Sequence, residues 1–483
     1  MLYYVQTVQW TGSGREDGQD MKNMGKAYRL ARLGALFLAL STAFGGCGAG
    51  EQTQDTVGMQ ETESSAAPSQ IRIFYYSTLS EPNFGDPQFK ECLFKYGEKY
   101  PELEFVIESS APGEDRDMVL NRLLADISQG KGPDLLILSR RTLEIFQDNG
   151  ALAELSGALP EETEGQIFDS VLRQGRIGDG LYGVAWEARV DTLLVPETVW
   201  QGETWRVEDV LSLLEERRAQ GDPYDRWLSI SYSLTAEQML YDLGFKGIEN
   251  TEERVSALVD MEQGKCFFDT PEFVRLLENC KEYGETSGSR EYMNWEEQLA
   301  EVGSGRALAL PCYGNLMGFS HAMAACEDGY RCVGYPTESG SGSYVSCSRL
   351  MAVNATTEHY DIAVGFIEEM LSEEVQKERF GISSVRRDIL TENVVEHPTF
   401  SETPLFMIGE GTYAPLEGKA DGSSWVREYV ELLEKGGSWS WEISEIEQIV
   451  REEASAYFNG DKSAEDVAGA VQSRVSLYLE ERK

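Results

Sequence analysis

A chain of 483 residues with 41% hydrophobic and 10% aromatic side chains is long enough for two substantial cores, since single domains usually stop near roughly 100–200 residues. Its 83 acidic residues against 42 basic ones leave a net charge of −41, a field that repels phosphate backbones and anionic headgroups, so no nucleic acid partner is expected. The aromatic and aliphatic content makes this acidity a solvated coat over packed cores, not the mark of a disordered acidic chain.

Lys22, Lys26, Arg29 and Arg32 lead into a twelve-residue apolar run, 33–44. Such a run is too short to cross a hydrocarbon core that needs about 20 residues, but it has the length of a signal-peptide core. Gly45, Gly46 and Cys47 follow. The arrangement resembles the lipobox of bacterial lipoproteins, in which small residues precede a diacylated cysteine that becomes the new N-terminus, although Phe44 stands where Leu is usual. That resemblance implies a lipid anchor on Cys47 and a place on the extracytoplasmic face of the cell membrane. Residues 1–46 then read as an N-terminal extension plus signal peptide, with 1–20 an over-extended gene start ahead of Met21 or Met24. Residues 47–69, free of aromatics, read as a flexible tether with a span on the order of 25 Å.

The folded body opens with a strand at 71–76. Phe89, Leu93, Tyr96 and Tyr100 recur at helical spacing and stop at Pro101. A second strand at 105–108 and a helix face of Val119, Leu123 and Ile127 follow. Residues 130–133 (GKGP) break that helix before a strand at 135–138, where Asp134 reads as a backbone-bonding residue at the strand entrance. This β-α-β-α-β order calls for a parallel sheet with helices on both faces, and places loops 77–84 and 139–141 at the ligand-binding edge. Later, Ile362, Phe366 and Met370 mark one helix and Ile443, Ile446, Val450, Ala454 and Tyr457 another. Ser463 can cap a last helix that buries Val467, Val471, Val475, Tyr478 and Leu479.

After Cys47 seven cysteines remain, an odd number with no CxxC. They read as buried thiols, with a Cys326–Cys332 bridge the one pairing left open; no metal site and no cofactor are signalled. The three histidines, His321, His359 and His397, stand without HExxH, and there is no GxSxG or P-loop, which removes the usual support for metalloprotease, esterase or NTPase chemistry. Residues 338–342 (ESGSG) lack the context of a nucleotide loop and read as an edge of the groove.

Five segments, in order, resemble the extracellular solute-binding proteins of ABC importers, the family that includes the maltose-binding protein: GKGPDLLIL (130–138), LYGVAWEARVDTLLV (181–195), GSGRALALPCYGNL (303–316), the stretch 333–376, and GISSVRRDIL (381–390). The resemblance implies an α/β, two-lobed periplasmic-binding-protein-like (type II) fold with three interlobe crossings. By analogy one lobe takes 70–187 and 313–370 and the other 188–312 and 371–483. It also implies a non-enzymatic protein that hands a small solute, a sugar or oligosaccharide, to the permease subunits of an importer.

A sugar site wants flat aromatic faces under the ring and planar polar groups around the hydroxyls. Trp186 and Glu187 sit on the first crossing, where the family's carboxylate takes sugar hydroxyls; Tyr313 on the second matches an aromatic on which a ring stacks. Tyr232 falls where the second lobe supplies another such aromatic. Arg140 and Arg141 follow the third strand as candidate hydroxyl partners, and Trp441, with Trp439 across Ser440, either reaches the cleft or staples a helix start. Two other readings suit the same residues: an exported carbohydrate-active hydrolase with paired carboxylates, and a ligand-binding sensor or adhesin.

Overall fold

A computed structural model of the chain describes residues 4–6, 69–75, 86–110, 114–221, 226–246, 258–261, 263–289, 291–326, 329–337, 342–396, 405–409, 412–415, 422–437 and 441–481. The chain divides into one compact unit, Met1–Val5 with Gln70–Lys483, and a second, Gln6–Ser69. The signal-like run, Cys47 and the tether fall in the second unit and, save for Ser69, lie outside the described residues, as does loop 77–84.

In the first unit apolar periodicity becomes structure much as expected. Strand Ser69–Tyr75 leads to helix Pro87–Gly97, whose Asp86 cap accepts from the Phe89 amide at 2.9 Å. Strand Leu103–Ser109 and helix Arg116–Ser128 come next. The helix ends where Gly130 takes φ +67°, and Gly132 lets the chain pass close to it, since a side chain there would meet Ile127 Cγ1 at 2.4 Å. Strand Leu135–Leu138 is buried along its whole length. Its entrance is fixed by Asp134, whose carboxylate accepts from the Arg72 amide at 2.8 Å and so ties it to the parallel neighbour, with Ile73 opposite Leu135.

Strand order in this sheet is Tyr4–Gln6, Leu103–Ser109, Ser69–Tyr75, Leu135–Leu138 and Leu350–Val353. The last strand comes from far along the chain and is antiparallel, Leu350 lying opposite Leu138. A second sheet orders Tyr330–Cys332, Arg189–Pro196, Ala307–Gly314 and Arg226–Leu228, with Tyr344–Ser346 paired to the start of Arg189–Pro196.

Buried apolar residues form two separate cores. One gathers Phe74, Phe89, Leu123, Leu136, Phe146, Phe168 and Trp186; the other gathers Trp205, Trp227, Phe245, Phe268, Phe273, Val450 and Val471. Strand Arg189–Pro196 serves both. Side chains alternate across a strand, so Val190 and Leu194 enter the first core while Leu193 and Val195 enter the second. Ala307–Gly314 is shared as well, though not by simple alternation: Ala307, Leu310 and Cys312 go to the first and the adjacent Leu308 and Ala309 to the second.

The later boundary differs from the expected one at 370/371. Leu371, Phe380, Val385, Leu390 and residues 425–433 bury in the first core, and Val333 and Tyr335 in the second. The reason lies in one side chain. Gln376 is fully buried; its amide donates to the Trp186 and Met370 carbonyls at 3.0 and 2.9 Å, and its oxygen accepts from Val385 N and Ser384 Oγ at 3.0 and 2.8 Å. Segment 371–385 is thereby stitched to the first core, and the chain passes to the second between Leu433 and Ile446. Helices Trp441–Phe458 and Ala464–Glu481 then pack there, with Ser463 Oγ accepting from the Asp466 amide at 3.1 Å.

Cys92, Cys266, Cys280, Cys312, Cys326, Cys332 and Cys347 form no disulfide, so Cys326 and Cys332 do not bridge here. Burial pushes Cys92 up to about 11, which keeps it protonated and inert. No helix among the described residues is long and apolar enough to cross a membrane.

Candidate ligand cleft

In open α/β sheets a ligand crevice lies beyond the carboxyl ends of the strands. Tyr75 ends the first strand, and Asp86 caps the helix that follows it. Because Leu350 lies opposite Leu138, Arg349 emerges at the same edge. Its Cζ is 5.3 Å from the Tyr75 ring centroid and its Nη1 is 3.9 Å from Asp86 Oδ2.

The shared strand brings in the rest. Ser346 pairs with Arg189, three residues before Arg349. Arg189 Cζ lies 5.9 Å from the Tyr313 ring centroid, and its Nη2 is 3.9 Å from Glu187 Oε1. Burial works against the Arg189 charge and so does nearby Arg349, but Glu187 and the Tyr313 hydroxyl outweigh both and hold its pKa above the ordinary value. Tyr75, Asp86, Glu187, Arg189, Tyr313 and Arg349 thus gather along the seam between the cores. Tyr313 is 52% exposed, so its ring is open to a flat partner.

The second sheet carries further exposed rings. Arg226–Leu228 runs parallel to Ala307–Gly314, so residues after Leu228 emerge at the same end as Tyr313. There Tyr232 is 65% exposed, and Tyr292 is 77% exposed on the adjoining segment, which the Met293 amide ties to the Ser231 carbonyl at 2.9 Å. Gln298 Nε2 donates to Ser231 Oγ at 3.0 Å and stiffens the pair.

Several expected site residues stand elsewhere. Trp186 is fully buried, its ring 5.1 Å from that of Phe89, while its neighbour Glu187 is only partly covered; Trp186 packs and does not line a groove. Arg140 and Arg141 belong not to a loop but to helix Arg140–Asp148, capped by Ser139. The Arg140 guanidinium is taken up by Glu144 at 2.7 Å and by the carbonyls of Gln174, at 3.0 Å, and Arg176. Arg141 Nη2 meets Glu445 Oε1 at 2.9 Å. Trp441 opens its helix, but its side chain and Trp439 lie outside the described residues, as do 338–341.

Sequence reading overlooked Arg349, Asp86 and Tyr292. Only Asp86 carried a local signal, as an Asp-Pro helix start. Among the described residues no group of three His, Cys, Asp or Glu side chains could hold a metal ion.

No protein-family model matches the sequence, and no curated protein matches it. The fold, however, has solved counterparts. The sugar-binding protein MalE of Xanthomonas citri superposes with a TM-score of 0.55 at 13% identity, covering 86% of this chain and 98% of that one. A cyclic alpha-maltosyl-1,6-maltose binding protein from Arthrobacter globiformis gives 0.51 at 15% identity, over 86% and 100%. A family 1 extracellular solute-binding protein from Alicyclobacillus acidocaldarius gives 0.51 at 14%, over 86% and 100%. The architecture is that of the two-lobed periplasmic binding proteins.

Proposed function

We propose that this chain, built on the two-lobed binding-protein fold, captures a sugar or oligosaccharide between its halves and presents it to an ABC importer. The observation that carries the reading is the pair of strands shared by two cores, with Glu187, Arg189 and Tyr313 at their seam. A solute touching both halves stabilises the closed form by its differential affinity for that form, so closure reports occupancy. Micromolar affinity corresponds to roughly −8 kcal/mol, within reach of one stacked ring and several charge-assisted hydrogen bonds. Solved proteins of this fold are binding proteins, which supports capture without chemical change.

The lipobox-like run before Cys47 supports anchoring through a diacylated cysteine on the extracytoplasmic face, with residues 48–69 as tether. Titration with mono- and oligosaccharides, followed by tryptophan fluorescence and thermal shift, tests the reading, because a ligand of the folded state raises Tm by mass action. A saturable rise in Tm with the sugar recovered intact supports it. Cleavage of the sugar, or no response across a broad panel, discards it.

A further inference from the structure

The paired length of the two shared strands stops short of the residues at the seam. The ladder between Arg189–Pro196 and Ala307–Gly314 ends with Gly314 opposite Val190, so Glu187 and Ala188 lie before it and Asn315 after it. A third segment spans that gap. The helical turns Gln376–Phe380 and Gly381–Ser383 meet at Gly381, whose φ of +29° suits glycine. The Ser383 carbonyl accepts from the Ala188 amide at 3.0 Å, and the Ser383 hydroxyl accepts from Asn315 Nδ2 at 3.0 Å. One residue therefore bonds both segments.

The backbone around Glu187 is held on either side. Gln376 Nε2 donates to the Trp186 carbonyl at 3.0 Å and the Tyr429 hydroxyl to the Ala188 carbonyl at 3.5 Å. With the Ser383 bond to the Ala188 amide, these contacts fix the chain at Glu187 without using its carboxylate. Asn315, two residues after Tyr313, divides its side chain: Oδ1 accepts from the Gly318 amide at 3.2 Å, capping helix Leu316–Ala325, and Nδ2 goes to Ser383. Ser383 and Asn315 are both partly exposed. Water satisfies such groups when their mutual bond is lost, so the bond contributes little to folding, but water does not hold two segments at a fixed separation.

We propose that Ser383 is a positioning residue for the solute: its hydroxyl, through Asn315, sets the Tyr313 ring relative to the Glu187 carboxylate, so that the stacking face and the hydroxyl partner fall on the same sugar unit. This rests on the sugar-capture reading and adds to it a residue that acts without touching the solute. The geometric demand is strict, because a ring face and a hydroxyl bond reinforce one another only when both are in place.

Two measurements on the intact protein test it. In hydrogen exchange without solute, Ser383→Ala should speed the amides of 187–190 and of 313–318 together, by about fivefold, while Ser383→Thr, which keeps the hydroxyl, exchanges like the parent. Acceleration at neither segment, or at 313–318 alone, overturns the inference. In calorimetry with maltotriose, Ser383→Ala should weaken binding about fivefold with Tm near that of the parent, and Ser383→Thr should restore it. Asn315→Ser keeps a helix cap but is too short to reach Ser383, so it should cost the same factor, and the double variant no more. Additive losses, or a Ser383→Ala variant that binds as tightly as the parent, overturn the inference and leave sugar capture standing. If maltotriose does not bind, the exchange result alone decides, so failure of the tie and failure of sugar capture are told apart.

Discussion

Arg141 and Glu445 join the two halves directly: the guanidinium Nη2 of a helix on the first core meets the carboxylate of a helix on the second at 2.9 Å, across 304 residues of sequence. Both side chains are partly exposed, so the pair is worth about 0.5–1 kcal/mol. Under the proposed hinge closure, a contact of that size would not hold the halves shut but would bias the equilibrium between open and closed forms. Glu445→Gln is expected to weaken solute binding by about two- to fivefold and to enlarge the unliganded particle in small-angle scattering. Unchanged affinity and dimensions would show that the pair does not span a moving boundary.

A second linkage lies deeper. Lys246 Nζ is 3.2 Å from Asp191 Oδ2 on the shared strand and 2.7 Å from the Tyr335 hydroxyl, while the Tyr335 and Tyr344 hydroxyls both donate to Asp191. Removing one member of a buried pair strands the other charge, at a cost of about 3 kcal/mol or more. Lys246→Met should therefore lower Tm by several degrees in a thermal melt. The double variant Lys246→Met/Asp191→Asn should recover part of the loss, since it removes the stranded charge with its partner; a double variant no better than the single would count against the pairing.

Asp242 gives that region a pH signature. Burial raises its pKa from 3.8 to about 6, with Asp191 adding to the rise and Lys246 and Gln238 opposing it. A carboxyl whose folded-state pKa lies above its unfolded one stabilises the fold below the unfolded value. That stability is lost as pH rises through the folded value, here between about 4 and about 6. Against Asp242→Asn, the parent should lose up to about 3 kcal/mol across that window. Parallel stability curves for the two proteins, measured by urea unfolding from pH 4 to 7, would refute the assignment.

How much of this was legible in the sequence follows from the range over which each feature is encoded. The strand at 135–138, the glycine break before it and the Asp134 anchor are local, and the structure bears out each of them. The burial of Leu371, Phe380, Val385 and Leu390 with the first core is not legible, because that attachment runs through Gln376 and the carbonyl of Trp186, 190 residues away, a contact without periodicity. The site shows the same division. Glu187 and Tyr313 each lie beside Arg189, within reach of short motifs the sequence displays, whereas Arg349 comes near them through an antiparallel strand that no pattern announces. Arg140 and Arg141 looked available because the sequence does not disclose Glu144, the carbonyls around 174–176, or Glu445.

Trp186 and Tyr313 separate stability from recognition, and their variants should diverge. Trp186 is fully enclosed beside Phe89, so Trp186→Ala leaves a large cavity and should cost about 3–5 kcal/mol of folding stability. Any binding it retains at low temperature should have near-parental affinity, because the ring does not reach the seam. Tyr313 is half exposed, with the Arg189 guanidinium over its ring. Tyr313→Ala should thus change Tm by little and weaken solute binding about tenfold, the scale of a lost stacking face, and Glu187→Gln should behave likewise through lost hydroxyl bonds. Tyr292→Ala extends the comparison to the second sheet: a loss confined to longer oligosaccharides would place that ring at a distal sugar unit, and equal affinity for all lengths would leave it an ordinary surface tyrosine. If instead Tyr313→Ala and Glu187→Gln both bind as tightly as the parent, the seam between the cores is not where the solute is held.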